Sequence, residues 1–123
     1  MATVLMVDDS KTSRKILKAV LEEAGFTVVA EASNGEEGYL KYKEFRPDVV
    51  TMDITMPAMD GIESLTLIKK ENPDAKVVMI TAAGQKEKMV DALKRGADEF
   101  ITKPYDENKV VEAIKHLVKS ASE

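Results

Sequence analysis

The sequence has no cysteine, which excludes a disulfide scaffold, a thiolate nucleophile and any zinc site built on Cys. Tryptophan is also missing, and aromatics of all kinds make up only 5% of the chain. The single histidine, His116, falls in the last amphipathic stretch, far from the acidic residues discussed below, and reads as a surface or half-buried residue without a functional role. No long hydrophobic run is present. The apolar start of the chain meets acid at Asp8, too soon to span a bilayer, and it lacks the basic opening and cleavage pattern of a signal peptide. Nor is there an excess of basic residues: the net charge of −4 argues against general nucleic-acid binding. There is no Walker lysine loop, internal repeat, low-complexity tract or linker. A cytoplasmic protein with no membrane or nucleic-acid partner is expected.

What is present is a chain of 123 residues, 44% apolar and 33% charged, suited to one domain over residues 1–123 with a self-sufficient core. Short apolar runs alternate with amphipathic stretches throughout. Strands are predicted at Thr3–Val7, Thr27–Glu31, Asp48–Asp53, Lys76–Thr81 and Asp98–Ile101. Between and after them lie helical patterns. The first carries Ile16, Leu17, Val20, Leu21 and Ala24, capped by Ser10 and stopped at Gly25. Asn34 caps the second, which reaches Glu44; the third carries Ile62, Leu65 and Ile68. The fourth runs from Gln85 to Arg95, and Asp106 caps the fifth, whose stripe is Val110, Val111, Ile114, Leu117 and Val118. Five strand–helix units imply an α/β fold, a doubly wound parallel sheet with right-handed crossovers and helices on both faces. Strands one, three and four are apolar nearly throughout and belong in the centre. The flavodoxin-like order 2-1-3-4-5 is the simplest assignment, although alternation alone does not fix it.

In such sheets, sites form beyond the carboxyl ends of the strands. Those ends carry Asp8-Asp9, Asp53, Thr81 and, just after strand five, Lys103. Three carboxylates at one rim repel each other, and a divalent cation offsets this directly; Mg²⁺ takes hard oxygen ligands of this kind and leaves positions for phosphate oxygens. Lys103 adds a positive charge and Thr81 a hydroxyl donor, which together describe a cradle for a phosphoryl group. Asp53, on the central strand, is the best placed acceptor, and Asp8 and Asp9 suit the metal. Taken singly, each piece has an ordinary reading as a turn residue, cap or strand-end hydroxyl. Their arrival together at the ends of separate parallel strands favours the functional one.

Val7-Asp8-Asp9-Ser10, Asp53-Ile54-Thr55-Met56-Pro57, Met59-Asp60-Gly61, Thr81-Ala82 and Lys103-Pro104 appear in one order and spacing over nearly the whole chain. In this it resembles the receiver domains of two-component response regulators, and the run Val50 to Pro57 with Gly84-Gln85 is similar to stand-alone chemotaxis receivers of the Gram-positive type. The resemblance implies that Asp53 is the phosphoacceptor. It implies that Asp8, Asp9, Asp53 and the backbone carbonyl of Thr55 hold Mg²⁺, and that Lys103 pairs with the phosphoryl group. Thr81 would move to bond a phosphoryl oxygen and Phe100 would turn inward, as the aromatic switch. Phe100 lacks a tyrosine hydroxyl, so looser coupling is expected. Thr55 and Ala83 hold positions that tune acyl-phosphate lifetime, and Lys103-Pro104 is expected to be cis. The first helix departs from the pattern, with Ser10-Lys11-Thr12-Ser13-Arg14 in place of a more apolar start.

The implied donor is a histidine kinase and the implied output a downstream protein such as the flagellar switch; a monomer that catalyses only its own phosphorylation and dephosphorylation is expected. A phosphorelay regulator, a receiver from a longer regulator and a module that no longer phosphorylates stay open. Two enzyme classes fit poorly. A flavodoxin needs a hydroxyl- and Gly-rich phosphate loop where Asp8-Asp9 stands, and a haloacid-dehalogenase-type phosphatase carries its acids on the first strand with one residue between them. Of the seven methionines, Met6, Met52 and Met79 are expected in the core, and Met56 and Met59 at a contact surface.

Overall fold

The computed structural model describes residues 2–122, with side chains through 119. Five strands and five helices alternate: β1 (Thr3–Val7), α1 (Lys11–Glu23), β2 (Thr27–Ala32), α2 (Gly35–Phe45), β3 (Val49–Asp53), α3 (Gly61–Glu71), β4 (Val77–Ala82), α4 (Lys86–Lys94), β5 (Glu99–Lys103) and α5 (Glu107–Ser122). All neighbouring strands pair in parallel, in the order β2-β1-β3-β4-β5. The expected architecture is the observed one, with the more polar strands at the edges.

Alternation along the central strands builds two cores. Leu5, Val7, Val50, Met52, Val77 and Met79 point to one face, against Tyr42, Leu65, Ile68 and Ala92 from α2, α3 and α4. Val4, Met6, Val49, Val78 and Ile80 point to the other, against Leu17, Leu21, Val110, Ile114 and Leu117 from α1 and α5. Both faces of the sheet are therefore covered, which is why these strands are apolar nearly throughout. Among the described residues no helix is long and apolar enough to cross a membrane.

The helix starts follow local chemistry. Ser10 accepts from Ser13 N at 3.2 Å, Asn34 from Glu37 N at 2.8 Å and Asp60 from Glu63 N at 2.9 Å. Asp106 accepts from Asn108 N at 2.9 Å at the start of α5. Two expectations change. Ile16, assigned to the core stripe of α1, is 50% exposed, because Leu17 and Leu21 form the centre of the stripe and Ile16 lies at its edge. Met56, assigned to a contact surface, is buried in the core beside Ile54, while Thr55 and Pro57 are exposed. The in–out alternation of β3 continues past the strand's end. The Lys103–Pro104 peptide is cis, as expected.

Candidate functional site

The strand order reverses between β1 and β3, and the carboxyl ends of the strands there open one rim. Val7 is level with Met52, Asp53 with Ile80, Thr81 with Thr102 and Ala82 with Lys103. This register brings residues as far apart in the sequence as Asp8 and Lys103 to the same edge.

Asp8 is fixed from several sides. Its N–H donates to the Ala32 carbonyl at 3.0 Å, its Oδ1 accepts from Ser10 N at 2.8 Å, and its carbonyl accepts from Arg14 Nη1 at 2.5 Å. Arg14 is held in turn by Glu31, with Nε 3.0 Å from Oε1. Asp53 ends the buried central strand and is 8% exposed. Lys103 Nζ donates to Asp53 Oδ2 at 3.2 Å and lies 3.5 Å from Asp8 Oδ2. Asp8, Asp9 and Asp53 each offer a carboxylate oxygen, and these atoms lie within 4.8 Å of one another. A set of three hard oxygen donors at this spacing can hold a metal ion.

The electrostatics of the pocket follow from burial and proximity. Burial pushes the Asp53 carboxyl above the ordinary carboxylate range; Lys103 pulls it down and Asp8 pushes it up, and the net shift is upward. For Lys103, burial works to lower the ammonium's pKa but is outweighed by Asp53 and Asp8, so it is raised. Tyr105 is raised as well, chiefly by burial, with Lys103 opposing and Asp8 reinforcing.

The predicted site residues are placed unequally. Asp8, Asp9, Asp53 and Lys103 converge. Thr81 is buried nearby, but its hydroxyl donates to Gln85 Oε1 at 2.6 Å, not to the acidic cluster. Thr55 is exposed, and its hydroxyl accepts from Gln85 Nε2 at 3.4 Å. Phe100 is half-buried against the α3–α4 core and lines a recess of about 240 Å³ with Thr81, Gln85 and Met89. Ala83 and His116 are exposed. The sequence reading gave Arg14 and Gln85 no role at the site. A basic residue one turn into the helix after an acid pair is a usable signal for the first; a glutamine in a turn offers none for the second.

Comparison with known proteins agrees with this geometry. The family model for the response regulator receiver domain matches residues 4–115. Chemotaxis protein CheY of Listeria monocytogenes is 47% identical over 119 residues, covering 97% of this chain and 100% of the relative. Chemotaxis protein CheY of Bacillus subtilis is 49% identical over 111 residues, covering 90% of this chain and 92% of the relative. Among solved structures, the CheX–CheY–BeF3–Mg²⁺ complex from Borrelia burgdorferi superposes with a TM-score of 0.90 at 40% identity, covering 95% of this chain and 89% of that one. With the fold, the strand-end acids and the lysine in place, the chain belongs to the response regulator receiver domains, the phosphoacceptor modules of two-component signalling.

Proposed function

We propose that this receiver acts in chemotaxis: Asp53 takes a phosphoryl group from a histidine kinase, and the chain then changes which protein it binds. The observation that carries the reading is the Lys103 ammonium, 3.2 Å from Asp53 and 3.5 Å from Asp8, with Asp9 completing the acidic rim. A carboxylate oxygen of Asp53 attacks phosphorus, the phosphorus–nitrogen bond of the donor's phosphohistidine breaks, and its electron pair returns to the imidazole. An acyl phosphate forms on Asp53. Phosphoryl transfer asks mainly for positioning and charge neutralisation. Strand β3 supplies the first by holding Asp53 at a rigid end, and Lys103, whose raised pKa keeps it protonated at neutral pH, supplies part of the second.

Asp8, Asp9, Asp53 and the Thr55 backbone carbonyl are the residues that would hold Mg²⁺, which when bound neutralises the carboxylates and the phosphoryl oxygens. Thr81 directly follows Ile80, the strand partner of Asp53, and would exchange its present partner for a phosphoryl oxygen, while Phe100 would turn into the recess beside it. These are the two parts of the switch. Bias between two packings requires only a few kcal/mol of differential interaction. The output partner is a protein such as the flagellar switch, reached by a monomer in the cytoplasm. The chain catalyses only its own phosphorylation and dephosphorylation.

Incubation with a radiolabelled acyl or amide phosphodonor tests the reading. Label that needs Mg²⁺, is alkali-labile and vanishes in Asp53→Asn is expected. A native chain that takes no label refutes it, and steady turnover of many phosphate esters points to a phosphatase.

A further inference from the structure

We propose that Gln85 is a positioning residue: its carboxamide holds the Thr81 hydroxyl in the resting state and so sets the threshold at which a phosphoryl group on Asp53 throws the switch. The inference rests on the phosphoacceptor reading above. Gln85 occupies the residue before α4, where Ser, Thr, Asp or Asn would normally cap the helix, yet its side chain makes no capping bond. It reaches back across the rim instead. Its Oε1 accepts from Thr81 Oγ1 at 2.6 Å, and its Nε2 donates to Thr55 Oγ1 at 3.4 Å, so one amide ties the end of β4 to the loop after β3.

A hydroxyl has a single proton to donate. Thr81 cannot serve Gln85 and a phosphoryl oxygen at once, so the two acceptors compete. The contest has consequences for packing, because Gln85 and Thr81 line the same recess as Met89 and Phe100. While the amide holds Thr81, the recess keeps its resting shape. The residues between them, Ala82, Ala83 and Gly84, are exposed. A released Gln85 side chain therefore swings into water with its polar atoms satisfied. The threshold is then the net worth of one neutral hydrogen bond, about fivefold in affinity for a phosphoryl mimic.

The test is calorimetric titration of beryllofluoride in excess Mg²⁺ into the native chain, Gln85→Ala and Gln85→Met, each also in a Thr81→Ala background. Methionine keeps the volume and loses the amide, so it separates hydrogen bonding from packing, and thermal melts establish that each variant is folded. Both substitutions should tighten binding by about fivefold when Thr81 is present, and change it by less than about twofold when it is not. The Thr81 methyl resonance of resting Gln85→Met should also move toward its position in the saturated native chain. Unchanged or weaker binding in both variants overturns the proposal, and so does equal tightening without the Thr81 hydroxyl. A native chain that binds no beryllofluoride brings down the phosphoacceptor reading itself, which is a separate outcome.

Discussion

A methyl group added at Gly61 would press on Asp53, the proposed acceptor. A Cβ there would sit 2.0 Å from the Asp53 carbonyl oxygen and 2.9 Å from both the Asp53 carbonyl carbon and Ile54 Cα. Real Cβ atoms essentially never come under 3.0 Å, so the start of α3 and the end of β3 would have to part by about 1 Å. Both sides of the contact are backbone, and no rotamer can relieve it. The Gly61 N–H also donates to the Ile54 carbonyl at 2.7 Å, a bond the separation would stretch.

Forced overpacking costs about 1–3 kcal/mol and a strained backbone hydrogen bond about 1 kcal/mol. Replacing Gly by Ala in a helix returns up to about 1 kcal/mol. Gly61→Ala should therefore lose about 2–3 kcal/mol, a fall in melting temperature of about 10 °C for a domain of this size. With no tryptophan, far-UV circular dichroism in urea is the suitable assay. Gly25→Ala is the comparison: Gly25 has φ +96° with nothing within 4 Å of its Cβ position, so it pays only about 1 kcal/mol of left-handed strain. The shift at Gly61 should also displace Asp53 relative to Lys103 and cut phosphoryl labelling under conditions where the variant is still folded. A Gly61→Ala chain no less stable than Gly25→Ala, and fully labelled, would refute the steric argument.

Other consequences can be checked with the same unfolding assay. Asp53 holds its proton more tightly folded than unfolded, so its contribution to stability is whole below the ordinary carboxylate value and is lost as pH rises through the raised folded value. Asp53→Asn removes that titration. Its stability advantage over the native chain should widen as pH climbs from about 4 toward 7, and a gap that stays flat or narrows contradicts the shift. Away from the site, Asp98 Oδ2 accepts from Lys69 Nζ at 3.0 Å and from Val77 N at 2.9 Å. Asp98→Ala takes the acceptor from Val77 N and leaves Lys69 Nζ on the Ala75 carbonyl without its counter-charge, in a mostly buried place, and should cost about 2 kcal/mol. Asp98→Asn keeps an acceptor and should recover about half of it; equal losses in the two variants would mean that the hydrogen bond to Val77 contributes nothing.

The strands and the rim were readable in the sequence because both follow from short-range rules. Val77 to Ile80 are apolar at consecutive positions and Val49 to Met52 are apolar except for the buried Thr51, a pattern that suits a strand covered on both faces. Parallel strands then place whatever follows them on one edge, so Asp8, Asp53 and Lys103 could be grouped without knowing a single distance. The misassigned side chains depended on details outside those rules. Met56 follows a strand that has formally ended, yet keeps its alternation, and Ile16 is next to the buried Leu17 but turned toward a recess with Tyr105 and Pro104. The hold of Gln85 on Thr81 was illegible for a different reason. It depends on how the turn at Gly84 (φ +90°) folds a side chain back over β4, and nothing in residue type announces that.

The charge balance of the rim argues for the divalent ion from the chain's own residues. Asp8, Asp9 and Asp53 carry three negative charges when ionised, and Lys103 returns one. Arg14 is close to Asp8, but its guanidinium is bonded to the Asp8 backbone carbonyl and paired with Glu31, which Lys18 also approaches at 3.7 Å. It fixes the shape of the turn, and Glu31 offsets part of its charge. The rim is thus left with an excess of negative charge; the Asp53 carboxyl, raised chiefly by burial, is pulled down by Lys103 and pushed up again by Asp8. A doubly charged cation restores neutrality in one step, whereas a second lysine in the same place would leave one charge uncompensated. An incoming phosphoryl group adds further negative charge, so the proposed transfer to Asp53 calls for that compensation to be in place beforehand.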